Sequence, residues 1–114
     1  MRYLLKTEGT EYEVSKAAVP KLDQNGVQKV DFVSKFPVYV VQVTAWTNED
    51  SGSDVLEVAV ASPTPPVLRW REPVEVVDLE MIPWSQKRRD GEVRSGVAFK
   101  AAAIRPLSVG VQAA

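Results

Sequence analysis

Apolar and polar positions alternate with a period of two over several short runs of this chain, and nowhere recur at helical spacing. The clearest run is Pro37–Trp46 (PVYVVQVTAW). Tyr39, Val41, Val43 and Ala45 form an apolar row that should face a core, and Val38, Val40, Gln42, Thr44 and Trp46 form a mixed opposite row. β-Branched and aromatic side chains dominate, which disfavours a helix. Val55–Ala61 repeats the pattern, with Leu56, Val58 and Val60 on one side. Glu72–Ile82 predicts a third strand, with Val77, Leu79 and Met81 inward and Val74, Val76, Asp78, Glu80 and Ile82 on the other face. Val97–Arg105 predicts a fourth, with Phe99, Ala101 and Ala103 inward and Lys100 facing water.

Upstream, Tyr12, Val14 and Ala18 begin a weaker strand that Pro20 ends. Asn25-Gly26 suits a type I′ hairpin turn, and Val27–Phe32 then makes a short return strand. The three prolines of SPTPPVLRWR exclude a regular helix between the second and third clear strands. Pro83 is expected to end the third, leaving SQKRRDGEVRSG as a hairpin tip that turns at Asp90-Gly91. Several strands punctuated by Pro and Gly, with no amphipathic helix, predict an all-β barrel or sandwich. Closure into a small barrel would also protect the strand edges. The 114 residues suit a single domain, 1–114, with loosely ordered ends at 1–11 and 107–114.

Composition narrows the chemistry. There is no cysteine and no histidine, which removes disulfides, thiolate ligands and the commonest general base and zinc ligand. Neither a Walker-type phosphate loop nor a GxGxxG fingerprint occurs. Asp78 and Glu80 are the best carboxylate pair for acid–base work or a metal, but alternation alone explains them as the wet side of a sheet. No enzyme activity and no cofactor are expected. MRYLLKTEG lacks the apolar run of a signal peptide, and no run approaches the roughly 20 residues of a membrane helix. The expectation is a cytoplasmic protein with no membrane contact.

Net charge is −1, yet it is unevenly spread. Residues 1–57 carry six Lys/Arg against nine Asp/Glu, and residues 58–114 carry eight against six. The tip holds Lys87, Arg88, Arg89 and Arg94, and Arg69-Trp70-Arg71 is the tightest aromatic–cation combination. Trp46, Trp70 and Trp84 fall at strand ends or in loops, where they either cap a barrel or stack the bases of single-stranded nucleic acid. The candidate contacts are therefore Trp46, Trp70 and Trp84 for bases, with Arg69, Arg71, Lys87, Arg88, Arg89, Arg94 and Lys100 for phosphates.

Four segments, FPVYVVQVTAW, DVLEVAVASPTPPVL, EPVEVVDLEMIPW and GVAFKAAAIRP, resemble a family of small proteins encoded by actinobacterial integrative plasmids and conjugative elements. The resemblance spans about residues 20–106. It includes a "PW…G-V-x-F-R/K-A" segment, matched by Pro83-Trp84 and by Gly96-Val97-Ala98-Phe99-Lys100-Ala101. That family is similar in turn to the filamentous-phage gene V type of helix-destabilising protein. The resemblance implies a small five-stranded OB-like barrel with a protruding β-hairpin. It also implies a homodimer that binds single-stranded DNA, with RNA as the variant ligand, in replication or transfer of a mobile element or phage. The near-neutral charge and the Pro-rich connection depart from that pattern. The competing expectation is a protein-interaction or structural barrel subunit without nucleic-acid affinity.

Overall fold

The computed structural model describes residues 2–5, 10–47 and 53–107. All regular structure among them is β. The strands are β1 (Tyr3–Leu4), β2 (Thr10–Pro20), β3 (Val38–Thr47), β4 (Ser53–Ala61), β5 (Pro73–Val77), β6 (Glu80–Lys87), β7 (Val93–Ala101) and β8 (Ala103–Pro106). They form one sheet in the order β1-β6-β7-β4-β3-β2-β5-β8. No helix among the described residues is long and apolar enough to cross a membrane.

Strands β2, β3 and β4 make an antiparallel meander with the register that alternation demands. Val14 faces Val43, and Val41 faces Val58. All four valines are fully buried, and Tyr39 and Val60 nearly so. Each such side chain contributes on the order of 1.5–3 kcal/mol of burial free energy. The inward rows of the two clearest strands are those the sequence predicts.

The segment from Glu72 to Pro106 is a long hairpin that turns over partway along. β5 pairs with β8 and β6 with β7, and the register is continuous, with Val77 opposite Ala103 and Glu80 opposite Lys100. Between those pairs Asp78 adopts φ 52°, and the Ala102 amide donates to the Val77 carbonyl at 2.9 Å. Both arms exchange faces there. Val74, Val76 and Ile104 are buried on one side of the bend, Leu79 and Ala101 at it, and Phe99 packs on the core beyond it. The single inward row of Val77, Leu79 and Met81 is thus corrected, because strict alternation cannot anticipate a left-handed residue. Likewise Ile104, not Ala103, completes the buried end of the return arm.

The bend lets one hairpin serve both ends of the sheet. β7 pairs in parallel with β4 (Val58 with Phe99, Val60 with Ala101), whereas β5 pairs antiparallel with β2 (Tyr12 with Val74). The outcome is an eight-stranded curled sheet, a half-barrel, in place of the closed five-stranded barrel expected. Leu68, carried in by the Pro-rich connection, is a further core residue.

Three local expectations change. Pro83 does not end a strand, because β6 runs through it to Lys87. β1 covers β6 only at Glu80 and Met81, so Pro83 lies on an open edge where a missing N–H is tolerated. Val27–Phe32 forms only isolated bridges, Leu22 with Gln28 and Val30 with Pro37, so residues 21–37 are a loop. The Asn25-Gly26 turn is also not type I′. Gly26 alone has positive φ, its amide donates to the Asp23 carbonyl, and the Asp23 carboxylate accepts from the Asn25 and Val27 amides. That is the three-residue loop closed by a Gly bulge. Of the termini, Tyr3–Leu4 and Thr10–Glu11 are paired in strands, while 6–9 and 108–114 lie outside the described residues.

A left-handed backbone costs most side chains about 1–2 kcal/mol and glycine almost nothing. Asp78→Gly should therefore keep or raise the urea midpoint, and Asp78→Val should lower stability by about 1 kcal/mol or more. Equal midpoints for the two variants would refute the bend as described.

Candidate nucleic-acid interface

Cross-strand register settles which candidate side chains share a surface. Val41, Val43 and Val58 point inward, so Val40, Gln42, Thr44 and Trp46 of β3 and Val55, Glu57 and Ala59 of β4 form the outer face. Ala59 pairs with Lys100, Lys100 with Glu80, and Gly96 with Trp84. Arg94 pairs with Gln86. Lys100, Trp84 and Arg94 therefore lie on one outer face. Lys87 pairs with Val93 and has the opposite parity.

Trp84 is held flat by a glycine. A Cβ on Gly96 would come within 2.7 Å of the indole, so the ring covers the backbone where a side chain would stand. An aromatic laid over a cross-strand glycine restores packing that glycine lacks. Trp84 as a residue stays 44% exposed, with its indole lying against the Gly96 backbone. This is neither a buried barrel cap nor a free side chain, and an exposed π-face is what a base needs for stacking.

The tip is a compact turn. The Gly91 amide donates to the Arg88 carbonyl, the Arg88 amide to the Glu92 carbonyl, and the Asp90 carboxylate accepts from the Glu92 amide at 2.9 Å. Gly91 sits at φ 87°, so the Asp90-Gly91 turn lies where the sequence puts it. Arg88 and Arg89 ride on the turn and are exposed.

β4 and β7 pair only from Val58 to Val60, and below that they diverge. A groove of about 400 Å³ opens between Val55–Glu57 and Val97–Phe99, floored by Val40 and Ala59. It adjoins a recess of about 200 Å³ under loop 21–37, lined by Lys21, Lys29, Asp31, Phe32 and Lys100. Lys21 and Ala59 border both. Sequence reasoning missed this loop's contribution, because Val27–Phe32 looked like a strand. Its cations Lys21, Lys29 and Lys35 and its ring Phe32, 86% exposed, are the signal that a loop assignment would have exposed. Lys35 lies 4.8 Å from the Phe32 ring centroid, a cation–π contact.

Asp31 organises the loop. Its carboxylate accepts from the Ser34 amide (2.8 Å) and hydroxyl (2.9 Å), and the Lys100 ammonium lies 3.3 Å away. The Ser34 hydrogen bonds first, and then Lys100, hold its pKa down to about 2. Lys21 is shifted down, mainly by burial and secondarily by repulsion from Lys29.

Two sequence candidates lie elsewhere. Arg69-Trp70-Arg71 docks on β2, where the Arg71 amide donates to the Val14 carbonyl at 2.7 Å and Glu72 caps the Arg69 amide. Trp70 is well exposed, with the Arg71 guanidinium 5.5 Å from its ring centroid. This cluster opens β5, whereas Arg88 and Arg89 follow the end of β6. In the strand order β7, β4, β3 and β2 stand between β6 and β5, so the two clusters belong to different parts of the sheet. Trp46 shares the outer face, but it pairs with Glu11, and Glu13 stands on the next outward rung, with Lys16 and Glu57 flanking Gln42 one rung further on. That corner is acidic. Asp78 sits in the bend and Glu80 pairs with Arg2 at 3.7 Å, so they are not two teeth of one strand. Among the described residues no group of three or more metal-ligating side chains occurs.

No family model matches the chain, and no curated protein matches it.

Gly96→Ala should push the indole off the sheet and shift Trp84 emission to longer wavelength, with little change in melting temperature. Unchanged emission would disprove the close approach. Because the Asp31 pKa is lowered from 3.8, its ionised form stabilises the fold above that pH, and this contribution is lost as pH falls toward 2. A carboxyl NMR titration should find a midpoint near 2, moving upward in Ser34→Ala.

Proposed function

We propose that this chain binds single-stranded DNA without catalysis, along the outer face between loop 21–37 and the β6–β7 hairpin. The observation that carries the proposal is the alignment of Trp84, Arg94 and Lys100 on one face, beside a groove between β4 and β7 that adjoins a recess lined by the basic, aromatic loop 21–37. Cations neutralise phosphates and exposed rings stack bases with little sequence preference, so the surface suits an unpaired strand of any sequence.

An OB-like architecture is part of the proposal. Counting each bent arm once, and setting aside the two-residue β1, leaves five strands: β2, β3, β4, β5–β6 and β7–β8. Loop 21–37 then joins the first two, the tip joins the last two, and the face of the second and third lies between. Oligonucleotides bind OB folds on that face and those loops. Support also comes from the resemblance to mobile-element proteins, which extends the proposal to a cytoplasmic homodimer acting in replication or transfer. A protein-interaction role is the second reading, favoured by the strongly exposed Phe32, Val33 and Val67.

Oligo(dT) should quench tryptophan fluorescence, and the logarithm of affinity should fall with log salt at about −0.7 per phosphate neutralised. Trp84→Ala should weaken binding by roughly 1–3 kcal/mol. Trp70→Ala should leave affinity nearly unchanged, because Trp70 lies off this face. A folded protein that shows neither quenching nor a mobility shift at low salt would defeat the proposal. A stable oligomer without such binding, seen by light scattering, would favour the second reading.

A further inference from the structure

Beneath loop 21–37 the structure gathers like charges that it does not balance. Lys21, Lys29 and Lys100 line one recess, with Asp31 as its carboxylate. The contact at 3.3 Å joins Asp31 to Lys100, and the ion pairs of the described residues include neither Lys21 nor Lys29. Three lysines and one carboxylate line this recess of about 200 Å³, on a protein of net charge −1, with Glu57 in the adjoining groove that Lys21 also borders. Burial and Lys29 together disfavour the charged form of Lys21, so the cluster lowers stability in the free protein. An anion would relieve that repulsion.

The other walls say what the anion is attached to. Val30, Val38 and Ala59–Ala61 are apolar, and Phe32 stands at the recess with its ring almost fully exposed. A site that joins cations to an aromatic face fits a phosphate carrying a planar base. Asp31 resembles such a ligand's phosphate, being an oxyanion held beside Lys100 by hydrogen bonds from Ser34.

We infer that this recess is a subsite for one phosphodiester of the bound strand, and that Asp31 is its resident anion, which competes with the strand for Lys100. The inference rests on the proposed single-strand binding and specifies where one phosphate is held. Phe32 takes the adjoining base. The cation–π contact keeps Lys35 beside that ring, so the loop presents base and phosphate contacts together.

The experiment is an oligo(dT) titration by fluorescence anisotropy at two salt concentrations, with each variant first checked for a wild-type melting transition. Lys21→Gln/Lys29→Gln should bind on the order of tenfold more weakly, with a salt slope shallower by about 0.7 per lysine. Asp31→Asn keeps an acceptor for Ser34 but removes the competing charge. It should bind several-fold more tightly at low salt, and the gain should vanish when Lys100→Gln is added. Lys29→Gln alone serves if the double variant does not fold, with the slope change for a single lysine expected. If wild type binds but the lysine variants stay within twofold of it at unchanged slope, the subsite is overturned and the wider proposal stands. If wild type binds and Asp31→Asn binds no tighter, the resident-anion assignment is overturned. Wild type failing to bind oligo(dT) overturns the function proposal, and the subsite with it.

Discussion

Two backbone departures, the left-handed Asp78 and the break at Ala102, lie in facing arms of one hairpin and are joined by the Ala102–Val77 hydrogen bond. Without them the hairpin would be a straight two-stranded ribbon with a single inward row. With them it exchanges faces midway, and its near half docks on β2 while its far half docks on β4. Curvature, core closure and groove all descend from that bend. The groove exists because β7, reaching β4 from beyond the bend, stays in register for only three rungs before diverging. Asp suits the position better than most side chains, since a short polar group tolerates the left-handed region.

What the sequence made legible follows from which forces act locally. Alternation of Val and Tyr in β3 and β4 reported the buried rows faithfully, because nothing in those strands departs from period two. The rows of β5 and β8 were misassigned because exchange at the bend depends on a φ angle that neighbouring residues do not announce. Pro83 misled for a related reason: a missing N–H matters only if a neighbour strand needs it, and strand neighbours are tertiary facts. Loop 21–37 contains a plausible strand pattern, yet Asp23 and Asp31 capture the nearby amides with their carboxylates, and short Asx turns displace pairing there.

The candidate site shows the same division. Trp84 and Lys100 could be nominated from residue type, and the register confirms that they share a face. Arg69-Trp70-Arg71 looked stronger on density of charge and lies off that face, because proximity in sequence does not set the direction in which a connection leaves the sheet. The lysines of the loop were invisible as a group. The Lys29 amide donates to the Lys21 carbonyl, and Asp31 reaches Lys100 across a sequence separation of 69 residues, so that all three lysines line one recess. Local charge density is a poor guide on a protein whose total charge is near zero, and what counts is which cations the fold leaves unbalanced.

The parallel pairing of Val58 with Phe99 also orders events in time. The β2–β4 meander consists of neighbours in sequence and can assemble as soon as Ala61 has been made. Its inner row of valines then has nothing to cover it until the hairpin has been synthesised and bent back across the connection. Contacts of such long range close slowly, because loop entropy is lost before burial rewards it. A nascent chain of this protein therefore exposes an apolar sheet face until β7 and β8 emerge, which is the interval in which it is most open to aggregation.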